Sequence, residues 1–501
     1  MLFDHHAVLF LISASCGAIL LFSFIVRHYF RKGEFPMTEI ARKRWYEKLP
    51  HPYILLFLIV VAVAVLTYFL PPGVYDRVVV NGRKVVDPTT YHAVDPTPVT
   101  LMQFLTAIPR GIVNAGIVVV ITFISGAMFN VLQSTGAIEH GVGYAVKRIG
   151  VGNYRKLIWI VMLIFGFLGA TVGFENNIAV TPIAVFVALA LGGDVMVGAG
   201  MAIAGIGIGF ATSPINPYTV GTAHAIAQLP IYSGIAFRSL YCLCAIILTG
   251  FHVTGYMDRI RRDPSQSLVP DADTSGLTLT RPIEEYELTG RDKAVLSVFV
   301  AGMAFTIFGV LRWKWYLNEM AGLFLLIGIV GAFVGGIRPN RMVELMIEGA
   351  KSVAGGALAI GVALAIQVVM KDGNITDAVI HGLVTPLQGL GVYASAVLMS
   401  LAHCLINFLI PSGSGQAMAT MPVMIPLSDL VGMTRQVSVM AFQIGDGVTN
   451  LCYPTVGGML AMLALTRVPF DRWFRFVFPL VVKVVLLGWV FMCVGIAIGW
   501  N

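Results

Sequence analysis

Charged residues are scarce in this chain of 501 residues. Asp, Glu, Lys and Arg together make up 12% of the sequence, whereas hydrophobic residues make up 57%. A soluble domain carries roughly 25% charged residues, so this chain cannot cover a water-facing surface. The composition predicts a protein that crosses a lipid bilayer many times. The net charge of +7 does not indicate nucleic-acid binding, because the basic residues lie mostly in short loops beside apolar segments.

Cysteine and nucleotide-binding motifs are also lacking. The six cysteines all lie in apolar runs, and their spacing predicts neither a disulfide framework nor a zinc site. No P-loop occurs, which argues against ATP-driven transport by this chain. We expect no enzymatic activity and no cofactor apart from a bound sodium ion.

Apolar segments of about 20 residues, long enough to cross a bilayer as helices, recur along the chain. Full spans are predicted near residues 7–26, 53–70, 111–133, 232–256, 294–311, 319–337, 343–370 and 476–498. The first span is followed, and not preceded, by basic residues, which is typical of a retained membrane helix.

Four further segments contain polar, Gly-rich or Pro-rich centres. Segments 195–228 and 434–466 are predicted to be interrupted membrane helices. Segments 157–191 and 393–427 are too long for one helix, and we expect each of their arms to be too short to cross alone. We therefore predict two re-entrant hairpins, which enter and leave the membrane on the same side.

Basic residues set the predicted orientation. With the N-terminus outside, most Lys and Arg fall in cytoplasmic loops. The ten crossings then divide into two halves of opposite orientation, each with five crossings and one hairpin. The predicted fold is an all-α polytopic membrane protein with an inverted repeat, residues 1–256 and 294–501, joined by a cytoplasmic linker, 257–293. Both termini are predicted outside, and the external loop contains a β-hairpin at 78–80 and 84–86 around Asn81-Gly82.

One motif occurs in both halves. The order Gly, Thr, Val, Gly within residues 209–221 recurs with the same spacing within residues 445–457. Broken backbone at membrane depth is tolerated only where it lines a cavity or is buried in protein. A matched pair of interrupted helices is the best sequence indication of the binding site of a secondary transporter.

The two hairpin turns are the second indication of a binding site. The first turn has the sequence GFENN at 173–177, and the second has PSGSGQ at 411–416. A helix start at such a turn suits a carboxylate, and unwound carbonyl, amide and hydroxyl oxygens suit sodium. The alternative is that Ser and Gly only permit close helix packing.

Glu175 and Asp446 are the two acidic residues in otherwise uncharged membrane segments. A carboxylate at membrane depth is costly and is by default a functional hypothesis. The alternative is a structural carboxylate paired with a backbone amide or a basic side chain. An ion channel is the rival class, because hairpins and broken helices also form ion filters. Two interrupted helices beside two hairpins favour a closed site over a continuous pore, so we predict a carrier.

These segments resemble a known family. The runs GATVGFENNIAVTPI (169–183), PSGSGQ (411–416) and GDGVTNLCYPTVGGMLA (445–461) resemble YfcC-type carriers of the C4-dicarboxylate anaerobic carrier family, within the wider ion-transporter superfamily. The resemblance covers nearly the whole chain. It implies a homodimer in the bacterial inner membrane, with a scaffold domain and a transport domain that moves as an elevator.

The resemblance also implies which residues bind substrate and ions at the hairpin tips and broken helices. They are Glu175, Asn176, Asn177, Thr181, Ser213, Asn216, Thr219, Asn407, Ser412, Gly413, Ser414, Gly415, Gln416, Asp446, Thr449, Asn450 and Thr455. Among them, Asp446 and Asn450 are the expected sodium ligands.

The first hairpin tip departs from the family pattern. Relatives often carry two acidic residues there, whereas this chain has Glu175 followed by Asn176 and Asn177. One acid fewer weakens a preference for cationic substrates such as arginine or ornithine. We expect a small carboxylate-bearing metabolite, a dicarboxylate or similar organic anion, carried with sodium or protons. Exchange of amino acids is the alternative.

Overall fold

The computed structural model describes residues 52–501 except residues 81, 82, 314 and 388. The predicted span at 7–26 and the predicted turn at Asn81-Gly82 lie outside these residues. Helices form most of the described chain, and four short strands lie between the first two described helices.

The first set of elements runs up to the polar linker. It consists of α1 (Pro52–Leu66), β1 (Gly73–Val74), β2 (Arg77–Val80), β3 (Arg83–Val86), β4 (His92–Ala93), α2 (Leu101–Asn114), α3 (Gly116–Ser134), α4 (Ala137–Ile149), α5 (Tyr154–Val172), α6 (Thr181–Ala190), α7 (Val195–Thr212), α8 (Val220–Ile226) and α9 (Ile235–Arg262).

The second set follows the linker. It consists of α10 (Gly290–Trp313), α11 (Leu317–Val334), α12 (Pro339–Ser352), α13 (Ala354–Asp372), α14 (Thr376–Val384), α15 (Val392–Leu409), α16 (Gly413–Leu430), α17 (Arg435–Gln443, continued by the π-helical segment Ile444–Val448), α18 (Gly457–Thr466) and α19 (Phe470–Ala497).

Nine helices in the described part of the chain are long and apolar enough to cross a membrane. The chain is therefore a multi-pass membrane protein. The nine are Gly116–Ser134, Val151–Val172, Val195–Thr212, Ile235–Arg262, Gly290–Val310, Leu317–Val334, Ala354–Asp372, Val392–Leu409 and Phe470–Ala497.

Two predicted spans begin later than expected, because an amphipathic helix precedes each. One residue separates α2 from α3, and one residue separates α12 from α13. The predicted span at 343–370 is therefore confirmed from Ala354 onward and wrong before it, since two helices meet at Val353. The mean hydropathy of the segment did not separate them, because the apolar face of α12 continues directly into apolar α13.

The first arms of the two hairpins are longer than expected. Helices α5 and α15 have 19 and 18 residues, and both belong to segments long enough to cross a membrane. The expectation that every arm is too short is therefore wrong for these two. The second arms are short or proline-containing: α6 has 10 residues, and α16 contains Pro422 and Pro426. The re-entrant path stays a prediction, as does the division at 257–293.

The two predicted interruptions coincide with gaps between helices. Helix α7, which includes a π-helical turn at Gly200–Ala204, ends at Thr212, and α8 begins at Val220. The π-helical segment after α17 ends at Val448, and α18 begins at Gly457. We call residues 213–219 the first break and residues 449–456 the second break.

Equivalent glycines of the repeated motif pack against the first arms of the hairpins. A Cβ atom added to Gly209 would overlap the carbonyl of Gly166 in α5. A Cβ atom added to Gly445 would lie 2.7 Å from the carbonyl oxygen of Ser400 in α15. Only glycine permits this approach of one helix backbone to another, so the motif fixes where each broken helix lies against its hairpin.

The strands form two small antiparallel pairs, β1 with β4 and β2 with β3, and the second pair is the predicted hairpin. An ion pair between Arg77 and Asp377, with Nη2 and Oδ1 2.9 Å apart, ties β2 to α14. Strand β3 packs against α16, so the hairpin lies beside the second arm of the second helical hairpin.

Candidate functional site

The tip of the second hairpin touches both broken helices. Gly413 is the first residue of α16, and a Cβ atom added there would lie 2.8 Å from Cγ2 of Thr219 and 3.4 Å from Oδ2 of Asp446. Thr219 belongs to the first break, and Asp446 belongs to the π-helical segment before the second break. We call these three residues the tip cluster. Sequence analysis predicted all three, and the fold brings them together.

Asp446 is buried without a hydrogen-bond partner. Its residue exposure is 0%, and neither carboxylate oxygen has a partner among the described residues. The hydroxyl oxygen of Thr219, also 0% exposed, has none either. An ionised carboxylate costs several kcal/mol to bury unless a cation accompanies it, so this site requires either a bound cation or a proton.

Asn407 links Asp446 to the second break. Its Nδ2 atom donates to the backbone carbonyl of Asp446 at 2.7 Å, to Oγ1 of Thr449 at 2.8 Å and to Oδ1 of Asn450 at 2.8 Å. The Oδ1 atom of Asn407 is buried with no partner among the described residues. Four predicted site residues therefore form one cluster of oxygen-bearing groups.

Gln416 lies one turn into α16, and of its side-chain amide only the nitrogen has a hydrogen-bond partner in the described chain. Its Nε2 atom donates to the backbone carbonyl of His403 at 3.0 Å, whereas its Oε1 atom is buried without a partner in the described chain. Ser412 caps the helix, because its Oγ accepts a hydrogen bond from the Gly415 amide at 3.3 Å. Ser414 and Gly415 are partly exposed at the same turn. This turn is thus a helix start with an accessible surface.

The tip of the first hairpin contacts the helix that follows the second break. Glu175 begins a 3-10 turn, and a Cβ atom added to Gly458 in α18 would lie 2.8 Å from Cγ and 3.4 Å from Oε1 of Glu175. A second acidic side chain is therefore held against the start of α18. Each hairpin tip contacts a broken helix.

Asn176, Asn177 and Thr181 stabilise the turn around Glu175. The Nδ2 atom of Asn176 donates to the backbone carbonyl of Val172 at 2.5 Å, and that of Asn177 donates to the carbonyl of Gly173 at 2.6 Å. Both carbonyls lie at the end of α5, where the helix provides no further amide donors. The hydroxyl of Thr181 donates to the Ile178 carbonyl. The donor groups of these residues therefore face the backbone, which leaves the Asn177 Oδ1 atom without a partner among the described residues.

Side chains also shape the first break. The Oδ1 atom of Asn216 accepts hydrogen bonds from the amides of Tyr218 and Thr219 at 2.8 and 3.2 Å, and Ser213 Oγ donates to the Ala170 carbonyl at 2.7 Å. In the second break, the Thr455 hydroxyl oxygen is buried without a partner in the described chain.

A buried arginine network next to the site was missed by sequence analysis. Arg238 in α9 is 0% exposed, and its Nη1 atom donates to Oε1 of Gln443 at 2.6 Å. The Nε2 atom of Gln443 donates to the backbone carbonyl of Ser213 at 2.6 Å. The guanidinium also lies 5.1 Å from the ring centre of Trp500. An arginine inside an apolar span was the available signal, but its partners could not be inferred from sequence spacing.

A large cavity lies beside the site. It has a volume of about 1400 Å³ and is bounded by the first break, α8, α16, the β2–β3 hairpin and the loop after α10. We call it the outer cavity. Its lining includes Tyr218, Tyr232 and Tyr316 but, within the described chain, neither Glu175 nor Asp446.

The described chain contains two broken helices, two hairpins whose tips touch them and, in the second broken helix, a buried carboxylate without a partner. This arrangement is typical of a membrane transporter. The sequence profile of the C4-dicarboxylate anaerobic carrier family matches residues 49–497. The chain belongs to this family and is a YfcC-type carrier.

Individual proteins are similar over nearly the whole chain. The "Putative basic amino acid antiporter YfcC" of Escherichia coli (strain K12) is 30% identical over 91% of this chain and 96% of its own length. Among solved structures, MtrF of Neisseria gonorrhoeae, described as an antimetabolite efflux pump, is 17% identical over 89% of this chain and 95% of its own, with a TM-score of 0.43. The YdaH transporter of Alcanivorax borkumensis is 18% identical over 90% and 99%, with a TM-score of 0.42.

Proposed function

We propose that this protein is a secondary active transporter that moves a small carboxylate-bearing metabolite, a dicarboxylate or similar organic anion, together with sodium or protons. The observation that carries the proposal is the buried carboxylate of Asp446, which has no partner in the described chain and lies against the tip of a helical hairpin. A site of this kind needs a cation or a proton, and coupling to a gradient supplies one.

The substrate carboxylate would bind at the start of α16. The first turn of a helix presents free amide groups with partial positive charge, and α16 begins at the tip cluster. An anion there and a cation at Asp446 would stabilise each other, so binding of one favours binding of the other.

We further propose an elevator movement, in which the hairpins and broken helices carry the site across the membrane as one body. The glycine contacts Gly209–Gly166 and Gly445–Ser400 support this, because backbones packed this closely resist relative sliding. A homodimer in the bacterial inner membrane would supply the stationary part.

The second candidate is exchange of amino acids. Glu175, held against Gly458, gives the site a second acidic side chain, which could accept the ammonium group of an amino acid. The name of the Escherichia coli relative points to the same class of substrate.

Uptake into proteoliposomes tests both candidates. Sodium and proton gradients should be imposed separately, with dicarboxylates and amino acids as competing substrates. We expect saturable accumulation of a carboxylate that follows one of the two gradients. Uptake that requires a preloaded amino acid and no ion gradient would favour the second candidate. Unsaturable flux far above carrier turnover would indicate a channel and contradict both.

A further inference from the structure

Two neighbouring tyrosines line the outer cavity, and one of them also faces the tip of the first hairpin. The rings of Tyr218 and Tyr316 have centres 5.5 Å apart, and both line the cavity. On its other side, Tyr218 faces the hairpin turn, because a Cβ atom added to Gly173 would lie 3.6 Å from its Cε2 atom. Glu175 follows two residues later.

Each tyrosine is held by the backbone of a different element. The amide of Tyr218 donates to Oδ1 of Asn216 at 2.8 Å, which fixes it to the first break. The amide of Tyr316 donates to Oε2 of Glu319 at 3.0 Å, which fixes it to the start of α11. A 3.4 Å hydrogen bond from the Tyr218 hydroxyl to the Trp315 carbonyl links the first break to the residues just before α11. This hydrogen bond can break without disturbing the neighbouring helices.

The lining of the cavity also contains strained backbone. Gln228 and Tyr232 both line the cavity and adopt left-handed conformations, with φ of 57° and 61°. Such conformations are costly in residues other than glycine and cluster at functional sites. This part of the cavity lining is therefore held in a defined shape at some cost in stability.

We propose that Tyr218 and Tyr316 form a gate between the outer cavity and the site at Glu175. With the rings in contact, solute in the cavity is separated from the first hairpin tip. Movement of Trp315 and Tyr316 away from the first break separates the rings and opens the path. This inference rests on the proposed transport function, but the test below does not depend on transport.

Thiol labelling tests the gate. All six native cysteines are replaced, and Glu175→Cys serves as the reporter behind the gate. Ala225→Cys, whose side chain lines the outer cavity, serves as the reporter in front of it. A charged, membrane-impermeant methanethiosulfonate is added from the side on which Ala225→Cys reacts. We expect Glu175→Cys to react at least tenfold more slowly than Ala225→Cys.

Removal of a gate ring should abolish the difference. Tyr316→Ala or Tyr218→Ala should raise labelling of Glu175→Cys at least tenfold and leave Ala225→Cys unchanged. Tyr232→Ala is the matched control, because Tyr232 lines the same cavity but packs near Gly221 instead of the hairpin turn. It should change neither rate. Asn176→Cys replaces Glu175→Cys if that variant fails to fold.

Equal labelling of the two reporters with both tyrosines present would overturn the proposal. Unchanged protection of Glu175→Cys in both alanine variants would overturn it as well. Because labelling is measured without substrate, a failed gate and a failed transport proposal give different results: the first changes labelling rates, the second changes uptake.

Discussion

Asp446 and Arg238 are both fully buried, but their surroundings differ. Arg238 donates to the neutral oxygens of Gln436 and Gln443, whereas the carboxylate of Asp446 receives no hydrogen bond from the described chain. A buried charge that is structural is normally satisfied by fixed partners. Both terminal nitrogens of Arg238 have fixed partners, although its Nε atom has none in the described chain, whereas neither carboxylate oxygen of Asp446 has one. Asp446 is therefore the better candidate for a group that binds and releases a cation.

Replacement of Asp446 by Asn tests this assignment. The amide keeps the shape of the side chain but removes the charge that holds sodium or carries a proton. We expect Asp446→Asn to abolish gradient-driven accumulation and to leave exchange of substrate across the membrane in place. Counterflow and gradient-driven uptake, measured on the same vesicles, separate the two. Accumulation with an unchanged ion dependence would move the coupling site to Glu175 or to the neutral oxygens.

The start of α16 can be tested in the same way. Loss of a hydrogen bond to a charged ligand costs about 1.5–3 kcal/mol, which is roughly tenfold to a hundredfold in affinity. Ser414→Ala and Gln416→Ala should lower substrate affinity by that factor in equilibrium binding. Ser428→Ala on the same helix is the control, since its hydroxyl bonds to the Ile425 carbonyl. Equal affinities in all three variants would place the substrate elsewhere.

Sequence reasoning identified the residues of the tip cluster because their types are unusual at membrane depth. Asp446 and Gly413 could be singled out as an acid and a helix-breaking residue in apolar runs. The contacts of Tyr316 and Gln443 with the first break could not be predicted, because they depend on how helices that are far apart in the sequence pack together. Asn176 shows the converse: its residue type suggested ligand binding, but its amide caps the end of α5.

At the scale of elements, the broken helices are positioned by glycines that let them pack closely against the first arms of the hairpins. Gly209→Ala would force its methyl group onto the Gly166 carbonyl, and overpacking of this kind costs about 1–3 kcal/mol. We expect a lower melting temperature in detergent and reduced transport. Gly255→Ala in α9 is the control, because no heavy atom lies within 4 Å of its added Cβ. It should not lower the melting temperature, since alanine favours helix.

Hydropathy predicts that most of the helices exist, but it does not predict the residues at which they begin and end. Helices α2 and α12 were missed because an amphipathic helix placed one residue before an apolar one extends the same hydrophobic run. The arms α5 and α15 are longer than the sequence predicts, because α5 begins at the polar residues Tyr154–Lys156 and α15 continues through Asn407 to Leu409.

At the scale of the whole molecule, the polar linker is held by ion pairs to the end of α18 and to the first turn of α19. Arg472 bonds to Asp271, and Nη1 of Arg467 lies 3.0 Å from Oδ2 of Asp273. Hydrogen bonds from Arg472 hold the pKa of Asp271 below its usual value. The pKa of an Asp carboxyl in an unfolded chain is about 3.9. Because the pKa of Asp271 is lower in the folded protein, its ion pair stabilises the docked linker fully at pH values above this unfolded pKa. The stabilisation is lost as the pH falls through the folded pKa.

We therefore expect the linker to loosen in acid. The rate of amide hydrogen exchange in residues 268–277, divided by the intrinsic rate at each pH, should rise as the pH is lowered from about 5 to about 2. Arg472→Gln should quicken exchange already at pH 6 and reduce the change with pH. Arg341→Gln is the control, because Arg341 pairs with Glu344 on α12. Equal protection in Arg472→Gln and the unaltered protein would show that the ion pair does not hold the linker.

The unpartnered carboxylate of Asp446 also has an electrical consequence. If one cation or proton neutralises it and a doubly charged dicarboxylate binds beside it, the loaded site carries one negative charge more than the empty site. A membrane potential does about 2.3 kcal/mol of work per elementary charge per 100 mV. Voltage would then act unequally on the loaded and empty halves of the cycle, so the resting potential of the cell, and not only the two concentrations, would decide the direction of net flux.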